Sequence, residues 1–198
     1  EEGRVTGQKM VGGIVGFHEG YLTASGDGQY LTAKAREVRA LSGYAGGIAG
    51  EASGNGGKIL RARNRCRQVT SNAGPAGGIV AVNSPGMLLE SCENLGNVNS
   101  DDGYAGGIAA LNLGTISRCR SGNETESVTL SSHGVSVIGG ICAVNQRTAE
   151  GCGIISDSRT SANVTLSGTA KTAGGIAGAN EGVIQNTSSD AAVSSMPE

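Results

Sequence analysis

The stretch "YAGGIAA", residues 104–110, sets two adjacent glycines beside an isoleucine and two alanines, with no charge and little side-chain bulk. Near copies stand at "VGGIVG" (11–16), "AGGIAG" (45–50), "AGGIVA" (76–81), "IGGICA" (138–143) and "AGGIAG" (173–178). Their Gly-Gly-Ile triplets begin at Gly12, Gly46, Gly77, Gly106, Gly139 and Gly174, which places successive copies 34, 31, 29, 33 and 35 residues apart. Self-similarity at such a period marks a repeat array, in which each unit buries its apolar face against its neighbours.

Two further elements keep step with the triplet. The first is an asparagine, usually a glycine, an apolar residue and then Cys or Thr: "NSPGMLLESC" (83–92), "NLGTISRC" (112–119), "NQRTAEGC" (145–152) and "NEGVIQNT" (180–187). The second is a valine in a Ser/Thr/Asn-rich setting, at Val38, Val69, Val98, Val128, Val164 and Val193; the first three lie eight residues before the next triplet. Each unit therefore has three short segments joined by turns. They lack a sustained 3.6-residue period, are too short for helices, and are bounded by Gly, Asn, Ser and Asp. The expectation is an all-β chain wound as a parallel, right-handed β-helix or solenoid of about six coils, three short strands per coil. Coils stacked at about 4.8 Å would make a rod about 30 Å tall.

In such a winding equivalent residues form files along the axis. Ile14, Ile48, Ile79, Ile108, Ile141 and Ile176 are expected to form an inward apolar column. The paired glycines mark a corner that needs either positive φ or close backbone approach. A phosphate-binding loop is excluded, because "GGIAG" is not G-x-G-x-x-G and no helix pattern follows to supply an anion-binding N-terminus. Asn83, Asn112, Asn145 and Asn180 each follow their triplet's first glycine by six residues, so their amides can hydrogen-bond from coil to coil as a ladder. Contact with a glycan is the alternative role, although Asn is also a common turn residue. His18 holds this place in the first coil and Glu51-Ala52 in the second, which confines the ladder to the last four coils.

Composition agrees with a regular scaffold of small residues. Glycine accounts for 35 of 198 residues, but three prolines and no Gly-X-Y rhythm exclude collagen. Aromatics are Phe17 and four tyrosines, leaving Ile, Val, Leu, Ala and Cys to build the core. A net charge of -2 argues against a general nucleic-acid partner, and the chain is not apolar enough for insertion into a membrane.

Candidate chemistry is sparse. Cys66, Cys92, Cys119 and Cys152 share the end of the second segment, and Cys142 belongs to the first segment of the fifth coil. Without CxxC or Cys/His spacing no metal is expected. The reading is a column of packed thiols, with a disulfide between stacked neighbours as the alternative. A nucleophilic Cys needs a base, and His18 and His133 have no evident partner. No catalytic residue and no cofactor is expected. In "GGKILRARNRCRQ", Arg61, Arg63, Arg65 and Arg67 alternate with Ala62, Asn64, Cys66 and Gln68; period-two alternation would put four guanidiniums on one outward face, suited to an anionic glycan or protein. The competing reading is a solvated face answered by Glu51 or Glu90 on adjoining coils. Asp101, Asp102 and Asp157 read as turn formers. Sequons occur at Asn123, Asn163 and Asn186.

"GGIAALNLGTISRC" and "GGIAGANEGVIQNT" resemble the GLUG-type repeat of bacterial cell-surface proteins, including regions of IgA-specific metallopeptidases and large gut-bacterial adhesins. The likeness is close in the third, fourth and sixth coils and loosest in the first two. It implies an extracellular, secreted or surface-attached β-helical segment serving as stalk, spacer or adhesive surface, with host glycan or host protein as partner. It carries over no catalytic residue: those metallopeptidases use H-E-x-x-H, and "HEGYL" (18–22) lacks the second histidine. The expected organisation is one monomeric solenoid domain over 1–198, a piece of a longer polypeptide with neighbouring domains. The alternative function is a carbohydrate-active β-helix, a polysaccharide lyase or hydrolase.

Overall fold

The computed structural model describes residues 3–134, 137–167 and 172–195. They contain strands and turns and no helix. The strands form parallel sheets stacked coil on coil, a β-solenoid of about six turns. All three segments expected per coil carry strands. The first and second are kinked, so each coil feeds five parallel sheets. In the coil that follows Val69 the short strands are Ala76–Gly77, Val80–Asn83, Leu88–Glu90, Glu93–Asn94 and Asn97–Ser100. From their contents the sheets are called here, in that order, the glycine, amide, isoleucine, basic and valine sheets.

The interior consists of files. Val5, Val38, Val69, Val98, Leu130, Val164 and Val193 stand in register in the valine sheet. Leu130 takes the place expected for Val128, which is buried two residues earlier. Leu22, Ile59, Leu89, Ile116, Ile155 and Ile184 make a second apolar file in the isoleucine sheet, one that the triplet pattern did not reveal. The triplet isoleucines are linked by backbone hydrogen bonds, from Ile48 N–H to the Ile79 carbonyl at 2.9 Å and onward through Ile108, Ile141 and Ile176. Ile48, Ile79, Ile108 and Ile141 are fully buried, and Ile176 packs partly buried against the core. Ile14 continues the column, its N–H donating to the Ile48 carbonyl at 3.0 Å, but its side chain is 40% exposed.

The bareness of "AGGIA" follows from crowding. None of the paired glycines has positive φ. Close approach is the reason for them. A Cβ on Gly46, Gly77 or Gly106 would run into the carbonyl oxygen three residues on, at Ala49, Val80 or Ala109. One on Gly47, Gly78 or Gly107 would meet the carbonyl of the glycine in the next coil. The chain folds back so sharply that a Cβ on Gly50 would lie 2.7 Å from the Gly16 carbonyl oxygen and the Val11 nitrogen. Close-packed interiors accept such a bend only where side chains are absent or minimal.

The amide ladder is present as expected. Asn83 Nδ2 donates to Asn112 Oδ1 at 2.7 Å, Asn112 to Asn145 and Asn145 to Asn180 at 2.8 Å each. His18 and Ala52 stand in register ahead of Asn83. Gly114, Gly153 and Gly182 lie against these amides, where a Cβ would collide with them. That contact explains the glycine that follows asparagine in the repeat. With Ala52 as its neighbour, buried Asn83 Oδ1 has no donor.

Candidate binding groove

The turn from the isoleucine sheet into the basic sheet is left-handed in five successive coils, at Arg61, Ser91, Arg118, Asp157 and Asn186, with φ of 50, 54, 51, 50 and 51°. Asn and Asp tolerate this conformation better than other non-glycine residues. The bend ends one strand, and the next starts one residue later at Arg61 and two residues later at the others, so residues on both sides of it border one shallow depression. On the outer face of the basic sheet Thr32, Arg63, Glu93, Arg120, Arg159 and Ser188 stand in register.

Charge along this file is uneven. Arg63 Nε donates to Glu93 Oε2 at 2.7 Å, and the Arg63 guanidinium lies 3.8 Å from the centre of the Tyr30 ring. Arg118 pairs with Glu90. Arg120 is opposed directly to Arg159, and among the described residues neither guanidinium has an ion-pair partner. Like charges at directly opposed cross-strand positions are unfavourable. The groove over this file, about 460 Å³, is bordered by Arg63, Glu93, Arg118, Arg120, Asp157 and Arg159. A smaller cavity of about 60 Å³ adjoins Arg120 and Arg159 on the other side, where Asn123, Ser161, Glu124 and Asp190 complete its wall. The Ser161 Oγ there is buried and has no hydrogen-bond partner.

The four arginines predicted to share one face do not. Burial alternates as expected through Arg67, with Ala62, Asn64 and Cys66 inward, but the strand spans only Ala62–Asn64 and the corners on either side part the arginines. Arg61 sits on the left-handed bend and Arg63 on the basic sheet. Arg65 reaches Glu126 at 3.1 Å, while Arg67 lies around the next corner beside Arg4, Arg36 and Glu37. The carboxylates that answer them are Glu93 and Glu126, not Glu51 or Glu90. The sequence reading missed Arg118, Arg120 and Arg159, which come from "SRCR" and "SDSR" in different coils. A signal was available, since the segments can be aligned on Ile116 and Ile155, but the arginines are neighbours only across the winding.

The cysteine column also shrinks. Only Cys92 and Cys119 stack, with the Cys92 N–H donating to Cys119 Sγ at 3.4 Å. Cys66 lies beyond Asn64 in the corner, its carbonyl against Gly96. Cys152 is outside the column altogether. It belongs to an inserted antiparallel hairpin, Arg147–Thr148 with Gly151–Cys152, and Ser158 occupies the place next to Cys119, accepting the Cys119 N–H at 3.0 Å. Equal spacing from the triplet misled here, because the hairpin adds to one side of the coil what the next turn lacks. None of the five cysteines is in a disulfide. Burial pushes the Cys119 thiol well up, with the adjacent Cys92 adding to the effect, and burial does the same to Cys142. Such thiols stay protonated and are poor nucleophiles.

Family models, curated proteins and solved structures give no match to this chain.

Proposed function

We propose that this chain is a noncatalytic module displayed outside a bacterial cell, acting as stalk or adhesive surface toward host glycan or host protein. The observation that carries the reading is how the acidic side chains are used. Glu37, Glu90, Glu93 and Glu126 are each held by an arginine, at Arg4, Arg118, Arg63 and Arg65, and so serve to tie coils together. Glycan hydrolysis needs two carboxyl groups converging on one bond. The stacked files add rigidity, which suits a spacer, and the resemblance to GLUG-type repeats points to the same setting.

One observation favours the enzymatic alternative: Glu93 and Asp157 border the same groove together with arginines. They stand two coils apart, about 10 Å by strand spacing, and Glu93 is already paired. Incubation with pectin, alginate and host glycans separates the two readings. A module leaves the polymers intact, whether or not it binds them. New reducing ends or unsaturated sugars would establish a lyase or hydrolase instead.

A further inference from the structure

We infer that Arg120 and Arg159 form a clamp for one sulfate or carboxylate group of an acidic polysaccharide, with the chain of the polymer lying along the groove over the basic sheet. The inference rests on the reading of this chain as a noncatalytic module and names the chemistry of its ligand. Two arginines whose backbones stand in register about 4.8 Å apart carry ten N–H donors between them, within reach of one oxyanion. Arg63 and Arg118 face the same groove but are occupied by Glu93 and Glu90. Among the described residues Arg120 and Arg159 form no ion pair, although Glu93 stands in register beside Arg120 and Asp157, Glu124 and Asp190 border the cavities on either side. A bound oxyanion would relieve their mutual repulsion and accept charge-assisted hydrogen bonds from both.

Three features favour a polysaccharide over other polyanions. The groove runs across coils and is open, which suits an extended polymer. Its margins carry the Tyr30 and Ser91 hydroxyls, which can pair with sugar hydroxyls. The overall charge of -2 gives nucleic acid no long-range attraction.

The test measures binding of a sulfated glycosaminoglycan, polygalacturonate, neutral dextran and a DNA duplex to the wild-type chain, to R120S/R159S and to R65S/R67S. The expected result is salt-sensitive binding of at least one acidic polysaccharide, no binding of dextran, a loss of roughly tenfold or more in R120S/R159S and little change in R65S/R67S. The sulfated and carboxylated arms say which oxyanion is preferred. Equal affinity of wild type and R120S/R159S, preference for DNA, or no binding to either acidic polymer overturns the clamp. Cleavage of a polymer with affinity still lost in R120S/R159S would overturn the noncatalytic reading and leave the clamp standing.

Discussion

Two of the polar files in the interior contain asparagine, and they behave differently. The amide ladder, Asn83 to Asn180, keeps one side chain throughout, and each amide donates to the next. The file on the basic sheet starts in the same way, with Asn64 Nδ2 donating to Asn94 Oδ1 at 2.8 Å, and then changes to Ser121, Thr160 and Ser189. Register is as good in one as in the other. Where asparagine meets serine, however, both Asn94 Nδ2 and Ser121 Oγ are buried without partners. Asn64, Asn94, Thr160 and Ser189 all cap their own corner, accepting the N–H two residues on, but Thr160 Oγ1 donates to the Ser121 carbonyl at 3.2 Å where an asparagine would donate to the next side chain. Stacking brings equivalent positions together, but only matched donors and acceptors turn proximity into a ladder.

Both files depend on glycine, and the largest effect should come from filling that space. A Cβ on Gly78 would collide with the Gly107 carbonyl and the Asn94 amide, all of them buried. Gly78→Ala should lower stability to urea by roughly 3 kcal/mol or more. A loss below about 1 kcal/mol would show that the coils are less tightly packed than described.

Asn112→Ala, in the middle of the continuous ladder, strips an acceptor from Asn83 and a donor from Asn145. Urea unfolding should show a loss of about 3 kcal/mol, because two buried amides lose partners. Thr160→Ala in the interrupted file should cost about 1 kcal/mol. Equal costs would erase the distinction between the two files.

The thiols set the alkaline limit. Burial raises Cys119 and Cys142 above their ordinary value of 9.0, so the folded chain holds these protons more tightly than the unfolded one. Their contribution is therefore complete below about pH 9 and is lost as pH rises above it, by up to about 1.4 kcal/mol per pH unit for each thiol. Urea unfolding of Cys142→Ala should show a shallower decline between about pH 9 and 11 than wild type. Parallel pH profiles would contradict this.

Repairing the break should bring a smaller gain. Ser121→Asn offers an acceptor to Asn94 Nδ2, and Gly107 leaves the same room that Gly78 leaves for Asn94. A rise of about 1 kcal/mol in unfolding free energy is expected. Smallest of all, Arg159→Ser should stabilise the free chain by a few tenths of a kcal/mol by removing the opposed like charge; a lower melting temperature would mean that Arg159 has a partner in solution.

The winding was legible in the sequence because six triplets and four asparagines repeat at nearly fixed offsets, and an in-register solenoid leaves that trace. The corner glycines were located, and the choice between positive φ and close approach fell to close approach once backbone neighbours were known. The candidate site was much less legible. Arg120 and Arg159 become neighbours only when the hairpin between Arg147 and Cys152 is counted out of the coil. Arg61 and Arg67 were misplaced because alternation along a sequence means a shared face only while the strand lasts. The left-handed bend left no glycine signal, since Arg61, Ser91 and Arg118 adopt it as readily in this fold as Asp157 and Asn186 do.

Scalar coupling across hydrogen bonds, measured by NMR on the uniformly labelled chain, reads the stacking most directly. Coils wound in register require couplings from the Ile48 amide nitrogen to the Ile79 carbonyl carbon, from Ile79 to Ile108 and from Ile108 to Ile141. Couplings that instead join these isoleucines to residues within their own repeat, in an antiparallel pattern, would contradict the parallel solenoid and every file built on it.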